Sequence, residues 1–450
     1  MNGVPGTLPG PRGVGAALTT VRFFERPLDS FEVMRSKYGD ISQLNVMGDR
    51  LVILCDPAMI ETVLVEKAAI MQKDSVLRDL KVLLGEGLLT SEGEFWKKQR
   101  RAIAPAFQRR HVNAYAETMV RLTREHLQEW QSGEHGDVHE RMMRLTLKIV
   151  VQTLFDSDVT ESEHIVGEAV EQAMLHMDRE LHTFRSLVPS KVQTPGRRQF
   201  RETVRTLDKV VLNMIRARRE RGDYDNGDLL GRMIAATDDA GNTMDDQQLR
   251  DEVLTLFLAG HETTALTLTW TWMLLSRHPE VAHRLRQEIL DVIGERDMVA
   301  DDMMRLPYTN AVLKESMRLY PPAWIMGREN MEEMTLGGYR VPVKSQLLCS
   351  TWVLHRDPRW FDRPLRFEPQ RWLDGLAERL PRFAYFPFGG GPRICIGNHF
   401  AMMESVLLLG TMVRDWSFQV DPGYRPVLVP SITLRPRHGM PGVFRKAASR

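Results

Sequence analysis

Apolar positions along this chain recur mostly at three- and four-residue steps, and the longest such run lies between Asp245 and His278. Asp245 and Asp246 open it and Pro279 closes it, as helix boundaries require. A second apolar run, Asn398 to Val413, repeats at Met402, Val406, Leu409 and Met412 and predicts another helix. Tyr308 to Tyr320 reads as a helix stopped by Pro321-Pro322. From Arg110 to about Gly241 the pattern is helical, with breaks at Leu187 to Gly196 and Gly222 to Gly227; the first, around Val188-Pro189-Ser190, separates two helices expected to form a mobile lid. Two-residue alternation is rarer. Ile41 to Asp56 predicts a hairpin turning at Gly48-Asp49-Arg50, followed by a helix over Pro57 to Ala68 with proline in its first turn. Asn330 to Arg356 has β-type stretches, Leu428 to Leu434 is strand-like, and the Pro- and Gly-rich residues 1 to 15 are expected to run extended.

Composition narrows the class. With 450 residues, 43% of them hydrophobic and 26% charged, the chain is an ordinary globular one able to bury a large core. A formal net charge of +1 gives no reason to expect nucleic acid. Three cysteines, Cys55, Cys349 and Cys395, are too few and too far apart for a disulfide scaffold or a zinc site, and fit a reducing compartment. Cys55 and Cys349 end or occupy predicted strands and read as core. No apolar run at the N-terminus is long enough for a signal peptide or membrane anchor, so a cytoplasmic protein is expected.

Candidate chemistry concentrates near the C-terminus, in Phe388-Gly389-Gly390-Gly391-Pro392-Arg393-Ile394-Cys395-Ile396-Gly397. Cys395 precedes a predicted helix, whose unpaired N–H groups and dipole favour an anion and therefore a thiolate. The glycines let backbone approach the sulfur. A thiolate so held, beside Phe388, suits a soft metal or a haem iron; a buried cysteine in a turn is the plainer alternative. Within the long helix, Ala259-Gly260-His261-Glu262-Thr263-Thr264 places small residues on one face and a carboxylate in apolar surroundings. Glycine there costs about 1 kcal/mol relative to alanine, a threonine hydroxyl can bond back to a carbonyl and bend the helix, and Glu262 must be partnered or used for proton transfer. Helix packing plus a surface glutamate would explain the same residues. Trp96 and Arg100 share a helix face, where Arg100 offers charged hydrogen bonds, though an amphipathic surface helix has the same pattern. Glu315 and Arg318, three apart, can pair.

Taken together, Phe388-x-x-Gly391-x-Arg393-x-Cys395-x-Gly397 resembles the haem-binding loop of cytochromes P450, and four other motifs of that family precede it in order. They are Trp96-x-x-x-Arg100, the Ala259 to Thr264 segment, Glu315-x-x-Arg318 and the Pro369-x-Arg371 segment. The resemblance covers nearly the whole chain. It implies one domain over residues 1–450, mainly α-helical with a smaller β-rich part, with haem b between the long central helix and the Cys395 loop. It implies Cys395 as the thiolate ligand of iron, and Phe388, Gly389 and Gly397 in the haem loop. Trp96, Arg100, Arg328 and Arg393 would meet the propionates, and Ala259 and Gly260 would lie against the haem. Thr263 and Glu262 would guide protons during O2 activation, with His261 not a ligand, and Glu315, Arg318 and Arg371 would form a structural network. Pro322, Trp324, Ile325, Met326 and Ser431, with Ala259 and Thr263, are candidate pocket residues. The implied reaction is hydroxylation of a lipophilic molecule, a fatty acid or a terpenoid- or polyketide-like compound, using O2 and two electrons. A ferredoxin or flavodoxin with its reductase would supply them, since no dinucleotide fingerprint follows Cys395. Lys97, Lys98, Arg101, Arg109 and Arg110 form a candidate docking patch for that donor. An H2O2-driven peroxygenase and a non-catalytic haem-thiolate sensor or carrier are the alternatives; the Glu262–Thr263 pair is what each would be expected to lack or not to need.

Overall fold

A computed structural model describes residues 6–46, 48–155, 194–222, 227–237 and 241–447. The expected lid break around Val188-Pro189-Ser190 lies outside the described residues. The chain divides into two units: Met1–Asp79, Lys314–Cys395 and Ile432–Leu434 form the first; Leu80–Leu313, Ile396–Ser431 and Arg435–Arg450 form the second.

In the first unit the expected hairpin forms, Ile41–Val46 pairing antiparallel with Asp49–Leu54. It is extended into a five-stranded sheet by Gln346–Cys349, Met326–Asn330 and Met71–Lys73, in that order. Asp49–Leu54 and Gln346–Cys349 run parallel, with Leu51 opposite Gln346 and Leu54 opposite Cys349. Such central strands are covered on both faces, which is why Val52, Ile53 and Leu54 are consecutive buried apolar residues rather than alternating ones. Ile60, Val63, Leu64, Phe383 and Phe386 share the core over this sheet.

One element departs from the pattern. The single helix expected over Pro57 to Ala68 is instead an α-turn, Pro57–Glu61, then a wide π-turn, Thr62–Glu66, then a 3-10 turn, Ala68–Ile70. The Lys67 N–H reaches back to the Thr62 carbonyl, and the widened turn carries the Leu64 carbonyl, against which Gly391 is packed. The wide turn thus lies where the cysteine loop crosses it.

The second unit is built on the helix Asp246–Arg277. Asp245 caps it: its carboxylate accepts from the Gln248 N–H at 2.7 Å while the Gln248 side chain accepts from the Asp245 N–H, a reciprocal box that satisfies two otherwise orphaned donors. The helices Val138–Phe155 and Asn398–Asp415 pack on it. A three-stranded sheet of His135–Asp137, Pro441–Lys446 and Trp416–Val420 joins them, with Trp130 against Trp416 and Phe444. No helix among the described residues is long and apolar enough to cross a membrane.

Candidate active site

The two strand cysteines are disqualified by burial. Desolvation pushes the thiols of Cys55 and Cys349 up to about 12, so both stay protonated and inert at neutral pH. Cys395 is exposed. Its loop is closed by its own N–H donating to the Phe388 carbonyl at 3.0 Å. Two glycines make that path possible. Gly389 has φ +73°, and a Cβ there would sit 3.2 Å from the sulfur of Met326. Gly391 has φ +66°, and a Cβ there would overlap the Leu64 carbonyl. Neither position admits another residue without strain. Gly397 differs: it is the N-cap of the helix Asn398–Asp415 with φ −88°, and a Cβ would lie 3.9 Å from Phe107. Among the described residues nothing demands glycine at Gly397, whereas a ligand passing close to the backbone would. An exposed sulfur, a loop whose path needs glycine at Gly389 and Gly391, and an unfilled Cβ position at Gly397 fit a flat metal-centred group held by thiolate.

In the same unit as Cys395, Arg328 is buried on the strand Met326–Asn330 and donates to the Gly327 carbonyl at 2.7 Å. Arg393 is half-buried in the turn Gly391–Arg393. Trp324 is 6% exposed, its ring edge-on to Phe31 at 5.7 Å. Pro322 accepts from the Leu434 N–H at 3.0 Å, and Ile325 and Met326 are half-buried.

The same unit holds the charged network. Glu315 and Arg318 are fully buried. Arg318 donates through Nε and Nη2 to the two Glu315 oxygens, each at 2.9 Å, and to the carbonyls of His355, Pro364 and Arg366 at 2.8, 2.6 and 2.9 Å. All five guanidinium donors are thereby used. Glu315 also accepts from Arg371 Nε at 3.0 Å, Trp372 Nε1 at 2.9 Å and the Glu368 N–H at 2.9 Å.

In the second unit, the long helix is buried from Leu249 to Leu275 except at Ala259, which is exposed, and Leu256, Gly260 and Thr263, which are half-buried. These share one face. Thr263 Oγ1 donates to the Ala259 carbonyl at 2.6 Å. Gly260 is not forced by packing, since a Cβ there would meet Val150 at an ordinary 3.4 Å. Glu262 points the other way: its side chain is 4% exposed and ion-paired with Arg435. His261 is buried, and its Nε2 lies 3.1 Å from the Met143 carbonyl. Trp96 is buried and Arg100 half-buried on the helix Gly93–Ile103, while Lys97, Lys98, Arg101, Arg109 and Arg110 are exposed. Ser431 is 9% exposed at the bend after Leu428–Pro430.

Arg435 was not singled out by sequence reasoning, although it lies in the strand Leu434–Pro436 and a carboxylate in an apolar helix implies some such partner. Glu404 was missed too. It is fully buried in the helix Asn398–Asp415, where desolvation raises its carboxyl to about 8 against a smaller opposing pull from the Thr264 hydroxyl. A lone glutamate within an apolar run was the available signal.

The family model described as Cytochrome P450 matches residues 7–439. Cyclooctatin synthase of Streptomyces melanosporofaciens is 37% identical over 96% of this chain and 94% of its own. Cyclooctat-9-en-7-ol 5-monooxygenase of the same organism is 34% identical over 93% and 90%. The crystal structure of the cytochrome P450DA haem domain superposes with a TM-score of 0.88 at 26% identity, covering 99% of this chain and 98% of that one. With sequence, fold and cysteine loop in agreement, the chain belongs to the cytochrome P450 family, the haem-thiolate monooxygenases.

Proposed function

We propose that this monooxygenase hydroxylates a lipophilic, terpenoid-like molecule, with Cys395 as the ligand of haem iron and Glu262 and Thr263 as its proton-handling pair. The carrying observation is the accessible face of Leu256, Ala259, Gly260 and Thr263 on a helix otherwise buried from Leu249 to Leu275. Bound haem supplies reductive activation of O2, placing one oxygen atom in a C–H bond while the other leaves as water with two electrons and two protons. The polypeptide does the rest. Cys395 supplies the thiolate, and the tight loop that turns at Gly389 and Gly391 fixes its position. Trp96, Arg100, Arg328 and Arg393 offer donors to the propionates. Thr263, with its hydroxyl proton committed to the Ala259 carbonyl, keeps oxygen lone pairs that can accept a hydrogen bond from water. Glu262 is the group that would take up a proton and pass it on, a role the Thr263 hydroxyl, committed to a carbonyl, does not fill.

The substrate class is supported by the cyclic alcohol named for one relative. The half-buried apolar side chains Ile325 and Met326, with Pro322, Trp324 and Ser431, are the proposed pocket residues. Electrons are proposed to come from a ferredoxin or flavodoxin, docking at Lys97, Lys98, Arg101, Arg109 and Arg110.

The experiment is a spectral titration of the ferric holoenzyme with cyclic terpenoid alcohols, fatty acids and macrolides. A low- to high-spin shift with the terpenoid alcohols alone is expected; a shift only with fatty acids or macrolides overturns the substrate class. In parallel, Cys395→Ser should abolish the thiolate-type Soret band of the reduced CO complex. Its survival would remove Cys395 as ligand.

A further inference from the structure

The accessible face of the long helix has a closed end. Steps of four, three and four residues put Glu252, Leu256, Ala259 and Thr263 on one side of the helix, and of these only Glu252 is fully buried. A loop of the same unit covers it: residues 85–90, between the helices Lys81–Leu84 and Gly93–Ile103.

Two neighbouring carboxyl groups tie that loop down. The Leu88 N–H donates to Glu252 Oε2 at 3.0 Å. Gln99, 3% exposed on the helix Gly93–Ile103, joins loop and long helix. With its amide oriented by its neighbours, its nitrogen donates to Glu252 Oε1 and, at 3.2 Å, to the Glu86 carbonyl. Asp251 accepts from the Glu86 N–H at 2.7 Å and is itself held by Gln247 Nε2 and Arg250 Nη1, each at 2.9 Å.

Glycines allow the close approach. At Gly85, φ is +56° and a Cβ would overlap the Asp251 carboxylate; at Gly87 a Cβ would overlap Thr255 Oγ1. The loop is also closed on itself, so it covers the helix as one piece. Thr90 Oγ1 donates to the Gly85 carbonyl at 2.7 Å, and the N–H groups of Thr90 and Ser91 donate to the Gly87 carbonyl at 3.0 and 2.9 Å.

A helix rises about 1.5 Å per residue, so the face left open from Leu256 to Thr263 is about 10 Å long, and Glu252 ends it about 16 Å from Thr263. A compact ring system fits that length. An extended chain lying along the helix beyond Leu256 would have to lift the loop off Glu252.

We propose that Glu252 sets the length of substrate this face accepts, by latching residues 85–90 across its end. Resting on the substrate-side role given above to the face, this makes Glu252 a positioning residue. It acts through the loop and meets no substrate, while Asp251 holds the loop's other edge.

Tricyclic cedrol and open-chain farnesol are alcohols of one formula that differ in length, so titrating the ferric holoenzyme with each reads the latch as a ratio of Kd values. Wild type should favour cedrol. Glu252→Ala should move the ratio towards farnesol by about tenfold. Glu252→Gln keeps an oxygen for the Leu88 N–H and should stay within about twofold of wild type. Hydrogen exchange of the peptide spanning residues 85–91 should quicken in the alanine variant alone, since only there does the Leu88 N–H lose its acceptor. If Glu252→Ala does not fold, Gly87→Ala lifts the loop against Thr255 with Glu252 intact, and the ratio should shift the same way. A wild type that favours farnesol, unchanged exchange in Glu252→Ala, or a ratio unmoved by the alanine variants overturns the length stop. If wild type takes neither alcohol, the terpenoid reading fails by itself, and the same comparison of laurate with palmitate judges the latch.

Discussion

Replacing Arg318 by leucine is expected to destabilise the protein more than any other single change in the charged network. Arg318 and Glu315 are fully buried, and breaking a buried pair by deleting one partner costs about 3–5 kcal/mol because the other charge remains. Glu315 is partly compensated, since Arg371, Trp372 and the Glu368 N–H still donate to it, which argues for the lower end. Against that, the carbonyls of His355, Pro364 and Arg366 lose their Arg318 donors. The first is buried and the other two are part-buried, so one unmet buried acceptor adds about 1–3 kcal/mol. A total of about 4–6 kcal/mol is on the order of a whole domain's stability of about 5–15 kcal/mol. Urea unfolding followed by tryptophan fluorescence should therefore show the midpoint of Arg318→Leu collapsing, with little holoenzyme recovered. Arg318→Lys keeps the charge but offers three donors for five sites, and should fall between wild type and leucine. Arg371→Leu removes a side chain 9% exposed whose second partner, Glu368, is 23% exposed, so its loss should be smaller. A cost for Arg318→Leu below about 1 kcal/mol, or a larger one for Arg371→Leu, would refute the assignment of the network's centre to Arg318.

Glu404 supplies a pH signature of opposite sign to acid denaturation. Its carboxyl is raised from 4.5 to about 8 by burial, so between those values the folded state holds a proton that the unfolded chain has released. Stability from this group is full below pH 4.5 and falls by about 1.4 kcal/mol per pH unit as pH rises towards 8. Glu404→Gln, neutral at every pH, should flatten that fall in urea midpoints measured from pH 5 to 8; an unchanged slope would show that Glu404 is ionised in the fold. Gly391→Ala should yield folded protein that has lost most of its haem, read as haem content per polypeptide, because an alanine Cβ would overlap the Leu64 carbonyl at a φ of +66°. Full haem retention would show that the loop has another route.

Features within one element were legible from sequence; partners across elements were not. The start of the long helix at Asp245, the shared face of Ala259, Gly260 and Thr263, and the i,i+3 pair Glu315–Arg318 are each fixed by helical geometry over a few residues, and periodicity reports that geometry directly. The parallel pairing of Asp49–Leu54 with Gln346–Cys349 joins segments far apart in the chain, and no local pattern encodes a register of that kind. The broken helix after Pro57 is similar: its residues favour a regular helix, and the widened turn lies against a loop that arrives from Gly391.

Four buried glutamates make the limit concrete. Glu252, Glu262, Glu315 and Glu404 all stand in helices and all are buried, and in sequence each is simply a carboxylate among apolar neighbours, demanding a partner without naming it. Distant segments decide the outcome. Glu315 receives two guanidinium groups, an indole and a backbone N–H. Glu262 receives Arg435. Glu252 receives the Leu88 N–H at 3.0 Å, and its carboxyl rises to about 8, as does that of Glu404, which has only the Thr264 hydroxyl to oppose burial. For Glu252 and Glu404 burial is the largest influence, and the neutral donors they meet do not offset the loss of water. Glu315 and Glu262 meet guanidinium groups instead. Whether a buried carboxyl finds a cation is decided by segments far away in the chain, so only the long-range fold distinguishes the two pairs.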